Sequence, residues 1–214
     1  MMDIVSNFQK ISNNINLVNK NITIIAVSKT FKIEQIMPLI NFGHKHFGEN
    51  KVQESLEKWM PEFLNEKKIQ LHMLGKLQSN KVDDAVRIFS YVHSLDNDKL
   101  ALKLSAAEKK INKSLMYFIQ VNIASEPQKS GIAINYTDDF IKFCVNDLKL
   151  NVRGLMCLPP INADPAPYFQ KLNLIGKKNN LKDLSMGMSQ DYLQAINFGA
   201  TYLRIGSNIF GERS

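Results

Sequence analysis

Cysteine, glycine, proline, tryptophan and arginine are all scarce in this chain, and most of these shortages exclude something. Its two cysteines, Cys144 and Cys157, form no CxxC pair and have no histidine nearby, which argues against a zinc site. Both thiols read as small buried hydrophobes in a reducing compartment. With 10 Gly and 7 Pro there is no flexible linker or low-complexity tract, and 44% hydrophobic against 22% charged residues is an ordinary globular balance. A chain of this length buries roughly 70% of the surface its unfolded form exposes, enough for a core without a metal or disulfide staple. No apolar run approaches the ~20 residues of a membrane span. The opening residues, Met1 to Phe8, carry neither the basic nor the apolar region of a secretory signal. The expected setting is cytoplasmic, with no membrane partner.

The formal charge of +7 invites a nucleic-acid reading, and the shortage of arginine weighs against it. Of 27 basic residues only Arg87, Arg153, Arg204 and Arg213 are arginines, whereas phosphate and base-edge recognition draws on guanidinium forks. The lysines are spread along the chain in nothing longer than pairs, and they accompany 22 asparagines. A solvated lysine-rich surface is the simpler account, and no motif of the usual nucleic-acid modules is present.

What the chain does have is alternation. Short β-branched runs at residues 22–27, 45–47, 70–74, 88–93, 115–121, 152–157, 183–186 and 202–205 are separated by longer stretches of helical period. Helix-period stretches lie at 33–41, 99–110, 138–148 and 168–178, and another carries Val52, Leu56 and Trp59 until Pro61 should end or kink it. Before the first strand, Phe8, Ile11, Ile15 and Val18 predict an extra N-terminal helix. Eight strands alternating with helices favour an α/β fold of the closed TIM-type (β/α)8 barrel, read as one domain over residues 1–214. A doubly wound open sheet would want a glycine-rich first turn, and Ser28, Lys29, Thr30 and Phe31 include no glycine. At 214 residues the chain is short for a barrel, typically ~250, which leaves little for an added substrate domain.

A parallel barrel builds its active face at the carboxyl ends of its strands. Those positions are polar here, and Lys29 is the most informative. It follows a nearly continuous apolar strand, so its ammonium either projects into a desolvated mouth, where burial lowers its pKa as a Schiff-base amine requires, or snorkels into solvent. Ser189 opens a helical pattern that Gly199 ends, which predicts an N-cap whose amides can receive an anion. Gly206 and Ser207 form a second small turn, and the loops after strands seven and eight are where many such barrels hold a phosphate. Arg204 stands at the end of the last strand, close to that turn, where helix capping does not account for it. Asn50, at the end of strand two, fits an ordinary capping box with Gln53. The proline-dense stretch from Pro159 to Pro167 is either a plain βα loop or part of the site rim.

Six runs taken in order, AVSKT at 26–30, FGEN at 47–50, HMLGKLQSNK at 72–81, GLM at 154–156, LSMGMS at 184–189 and RIGSNIFG at 204–211, resemble the pyridoxal phosphate homeostasis proteins. The resemblance covers essentially the whole chain. It implies a barrel similar to the amino-terminal domain of alanine racemase, with pyridoxal 5′-phosphate (PLP) held as a Schiff base on Lys29. By the same likeness Ser189, Gly206 and Ser207 bind the phosphate, Arg204 faces the pyridine nitrogen and Asn50 lies near the ring. Met73 stands where the family commonly has an aromatic residue, and a packing change is expected there.

An always-charged guanidinium at the ring nitrogen disfavours the ring proton and leaves a weaker carbanion sink. A racemase also needs a second base, which in alanine racemases is a tyrosine from another domain. None of Tyr91, Tyr117, Tyr136, Tyr168, Tyr192 and Tyr202 follows a comparable motif, and Tyr91, Tyr117 and Tyr202 read as strand packing. The expected function is a non-catalytic PLP carrier in cofactor homeostasis, a monomer with PLP-dependent apoenzymes as acceptors. A small fold-type III amino-acid racemase is the alternative.

Overall fold

The computed structural model describes residues 3–211, so Arg213 and the outermost residues of the expected domain lie outside the description. Eight strands, β1 Thr23–Val27, β2 His46–Glu49, β3 Gln70–Met73, β4 Tyr91–Leu95, β5 Met116–Gln120, β6 Asn151–Met156, β7 Asp183–Met188 and β8 Tyr202–Ile205, close into a parallel barrel in sequence order. Closure comes from β8 pairing with β1, with Arg204 opposite Ile25 and Ile205 opposite Ala26. The helices are α1 Ile4–Val18, α2 Ile33–Asn41, α3 Val52–Lys58, α4 Pro61–Lys67, α5 Val82–Ile88, α6 Asp98–Ile111, α7 Thr137–Lys142, α8 Ala166–Lys178, α9 Tyr192–Asn197 and α10 Ser207–Phe210. This is the expected barrel with its extra N-terminal helix. Asp3 caps α1 by accepting from Ser6 N at 3.1 Å, and Phe8, Ile11 and Ile15 turn its apolar stripe inward.

Strand side chains alternate between two cores, because successive residues point to opposite faces of the sheet. Phe47, Leu71, Val92, Tyr117, Leu155 and Leu203 pack outward in a continuous layer with the helices. Met73 joins that layer and is buried. Ile25, Tyr91, Phe118, Met156 and Tyr202 form a separate cluster inside the barrel. Tyr91, Tyr117 and Tyr202 are all buried, as strand packing requires.

Three local expectations are corrected. The fourth strand begins at Tyr91, not at residue 88, because Val82, Ala85, Val86 and Ile88 bury one face of α5, with acids in its first turn and Arg87 in its last. β7 runs two residues further than expected, to Met188, through Gly187 at φ +90, where a Cβ would stand 2.6 Å from that of Ala195. The helix carrying Val52 and Leu56 does end ahead of Pro61, at Lys58, with Met60 extended as the residue before a proline prefers, and Pro61 opens α4 at a position that needs no amide proton. The stretch 138–148 divides into α7 and a π-helical turn at Phe143–Asp147. Among the described residues no helix is long and apolar enough to cross a membrane.

Candidate functional site

At the carboxyl ends of the strands the barrel opens into a cavity of ≈ 940 Å³. Lys29, Asn50, Ser189, Arg204, Gly206 and Ser207 all line it. Pro159, Pro160 and Pro165 line it too, which decides for the rim over a plain loop. Each wall is built differently.

On the β1 side a buried ionic cluster pins the residues before and after Lys29. The Ser28 hydroxyl donates to Glu49 Oε1 at 2.7 Å, Trp59 Nε1 donates to the same oxygen at 3.0 Å, and Lys58 Nζ donates to both Glu49 oxygens at 3.0 and 3.2 Å. Lys58 also donates to the Ser28 carbonyl at 2.9 Å and pairs with Glu54 at 3.2 Å. Glu54 in turn accepts from Thr30 N at 2.6 Å, which fixes Thr30 at φ +71, a conformation a β-branched residue rarely adopts. Glu49 is fully buried and the Lys58 side chain is 8% exposed. Burial pushes the Glu49 carboxyl above the ordinary carboxylate range, although Lys58, Ser28 and Trp59 all pull it down. Lys29 itself is half-buried.

Arg204 forms part of the floor. It is 5% exposed, and Nη1 donates to the Ser185 carbonyl at 2.6 Å and the Ser185 hydroxyl at 2.7 Å, while Nη2 donates to the Cys157 carbonyl at 2.9 Å. Among the described residues no carboxylate lies within ion-pair distance of it. No salt bridge therefore neutralises the guanidinium, and the Asp191 carboxylate on the cavity wall acts on it only from a greater distance. The nearby Cys157 thiol is buried and pushed up to about 12 by burial, so it is an inert neighbour.

The β7–β8 wall is small-residue backbone. Ser189 does not cap a helix: the N-cap of α9 is Asp191, whose carboxylate accepts from Met188 N at 2.6 Å. Two residues of turn after Met188 displace the helix start, and Ser189 instead faces the turn after β8. There Asn208 Nδ2 donates to the Ser189 carbonyl at 2.8 Å and Asn208 N lies 3.5 Å from the Ser189 hydroxyl. Gly206 is the N-cap of the short α10, and Ser207 is its first residue. Asn50 is not a cap either, since α3 starts after Lys51. Its wall position depends on Gly75, where any Cβ would overlap the Asn50 carbonyl.

Residue types alone did not single out Glu49, Glu54, Lys58, Ser185 or Asn208 for these parts. Glu54 and Lys58 did carry a signal, an i,i+4 pair, but the same spacing marks any solvated helix face.

Over residues 6–214 the sequence matches the family described as alanine racemase, N-terminal domain. It is 37% identical over 203 residues to the pyridoxal phosphate homeostasis protein of Vibrio cholerae, covering 90% of this chain and 86% of that protein. Identity to the protein of that name from Schizosaccharomyces pombe is 36% over 208 residues, covering 91% and 85%. The chain belongs to the pyridoxal phosphate homeostasis protein family. Among solved structures it is similar to PipY of Synechococcus elongatus with PLP bound, with a TM-score of 0.83, 29% identity, and coverage of 98% of this chain and 100% of that one. The runs that resemble the family at 26–30, 47–50, 72–81, 184–189 and 204–211 fall at the carboxyl ends of β1, β2, β3, β7 and β8, and each puts at least one residue on the wall of this cavity.

Proposed function

We propose that this chain binds PLP in the barrel-mouth cavity, through a Schiff base on Lys29, and serves intracellular PLP homeostasis without catalytic turnover. The observation that carries the reading is that cations of two kinds face one cavity, an amine at Lys29 and a buried guanidinium without a salt-bridge partner at Arg204, while Lys129, also on the wall, is paired with Glu126 at 2.7 Å. That donor set suits a molecule with an aldehyde, a ring lone pair and a phosphate. Bound there, PLP supplies the aldehyde that an amine can condense with and a ring that can accept electrons.

The chain's own groups do the rest. Lys29 offers the amine from a strand end whose neighbours are clamped. Arg204 can only donate, so it orients a lone-pair acceptor and opposes a proton there. The Ser189 and Ser207 hydroxyls and the amides at Gly206 and Ser207 suit a phosphate, because the first amides of a helix have no partner within it. Asn50, which lines the wall, would lie near the ring. Among the described residues lining the cavity there is no tyrosine, histidine or cysteine, and the two other groups able to move a proton are engaged, Asp191 with Met188 N at 2.6 Å and Lys129 with Glu126 at 2.7 Å, which supports holding over turnover. The names of the family relatives and the PLP bound to PipY support the same choice. We read residues 1–214 as one such domain, a cytoplasmic monomer that passes PLP to apoenzymes.

The test is spectroscopic. Protein mixed with PLP develops a visible band, borohydride fixes the label on the peptide containing Lys29, and Lys29→Ala loses both. A borohydride-reducible adduct retained in this cavity by Lys29→Ala overturns the assignment. Exchange of amino-acid α-protons in D₂O stays at background, and steady exchange with any of them overturns the non-catalytic half.

A further inference from the structure

The sequence contains four histidines, and all four lie in one cluster that runs from the amino-terminal end of the barrel into its interior. Three of them connect by ring-to-ring contacts. His46 Nδ1 is 3.0 Å from His72 Nε2, His72 Nδ1 is 2.9 Å from His93 Nε2, and His93 Nδ1 is 2.9 Å from the Ser185 hydroxyl. That hydroxyl is the one on which Arg204 Nη1 rests. The chain therefore ends under the cavity floor, and none of its side chains lines the cavity.

Hydrogen counting fixes its direction. A guanidinium only donates, so the Ser185 oxygen accepts from Arg204 and still has its own hydrogen to place. Ser185 is fully buried, and His93 Nδ1 is the acceptor within reach. His93 then carries its hydrogen on Nε2 and donates to His72 Nδ1, and His72 carries its own on Nε2 and donates to His46 Nδ1. A second proton on His72 or His93 would set two hydrogens face to face in one of these contacts. Complete burial independently holds both rings in the neutral form. Stacking fixes the ring planes: His72 lies on Tyr91 at 4.1 Å and 12°, and His93 on Phe118 at 4.3 Å and 16°.

We propose that Ser185, His93, His72 and His46 form a one-directional, uncharged relay that positions Arg204, and that His93 thereby acts on the cofactor site without touching it. Without an acceptor at His93 Nδ1, the Ser185 hydroxyl is free to turn its hydrogen toward Arg204 Nη1, and the guanidinium loses one of its three oxygen anchors. The relay would also make an uncharged support do what a carboxylate usually does, holding a cation while leaving its field intact. The effect on the cofactor rests on the function proposed above; the relay itself does not.

The experiment uses the full chain with ¹⁵N-labelled histidine and arginine, as wild type, His93→Phe and Ser185→Ala. His93→Phe keeps a ring against Phe118, and Ser185→Ala removes a single oxygen, so the second variant keeps the test open if the first misfolds. In the cofactor-free wild type we expect neutral His72 and His93 protonated on Nε2, and separate, slowly exchanging Nη signals for Arg204. Both variants should lose that Arg204 separation. Loaded with PLP, they should show a shifted visible band and a cofactor dissociation rate raised about tenfold, the size of one lost hydrogen bond to a charged group. A cationic or Nδ1-protonated His93, or Arg204 signals unchanged in both variants, overturns the relay. So does a loaded variant pair with the wild-type band and dissociation rate. A wild type that forms no band with PLP refutes the cofactor reading, and the cofactor-free spectra still decide the relay.

Discussion

Two of the cations that face the cavity, Lys29 and Arg204, are supported by opposite means. Around Lys29 the support is ionic and acts on its neighbours: Glu49 holds the Ser28 hydroxyl, Lys58 the Ser28 carbonyl and Glu54 the Thr30 amide. Around Arg204 the support is uncharged and acts on the side chain itself, through two carbonyls and a hydroxyl. The difference follows from what each cation is proposed to do. An amine that must react needs a fixed starting point, which clamps on its neighbours supply. A guanidinium that works by its field needs partners that hold it without cancelling it, and neutral oxygens meet that condition where a carboxylate would not.

The largest effect should come from breaking the ionic side. Lys58→Met leaves Glu49 buried without its counter-charge, and removing one partner of a buried pair costs about 3–5 kcal/mol. Urea unfolding should show that loss, and Glu49→Gln combined with Lys58→Met should recover a substantial part of it by removing the stranded charge. If Lys58→Met alone falls within 1 kcal/mol of wild type, roughly the scale of an exposed pair, the cluster is not a clamp and the contrast with Arg204 fails.

Acid should separate the two supports by sign. Burial raises Glu49, so between its unfolded and folded pKa values the folded state binds more protons and stability falls as pH rises. Burial lowers His44, His46, His72 and His93, with His44 lowered to about 4. Between those folded values and the unfolded one the unfolded state binds more protons, so stability rises with pH and is lost on acidification. For His44 alone the window from about 4 to ~6.5 amounts to at most about 3 kcal/mol, less whatever solvent reaches the ring. Unfolding free energies measured between about pH 4 and 7 should rise less steeply in His93→Phe than in wild type and more steeply in Glu49→Gln. Equal slopes in all three proteins would leave the proposed difference between the supports without a thermodynamic trace.

The barrel was legible because strands buried on both faces read as near-continuous apolar runs, and eight of them in alternation admit few topologies. The lining residues were legible because a barrel puts them at strand ends. The supports were not. Lys58 and Glu54 sit on a short helix whose charges look solvated until the fold places Glu49 behind them. His46, His72 and His93 stand on three different strands, and only the register around the barrel, with His46 opposite Gln70 and His72 opposite Tyr91, shows that their rings meet. Ser189 misled for a local reason: it looked like a cap, but Asp191 two residues later takes that place.

The smallest expected effect tests the third wall, which has no buried support. Asn208 is exposed and ties the turn after β7 to the turn after β8 through its bond to the Ser189 carbonyl. Asn208→Ala exchanges that bond for water, so stability should change by no more than about 1 kcal/mol. Dissociation of PLP should still quicken about three- to tenfold, because Ser189 and Ser207 would no longer be held at a fixed spacing around the phosphate. The visible band should not move, since neither Lys29 nor Arg204 is disturbed. A faster dissociation with an unmoved band would separate grip on the phosphate from tuning of the ring. A shifted band would instead mean that this wall is coupled to Arg204, and the two supports would then have to be treated as one.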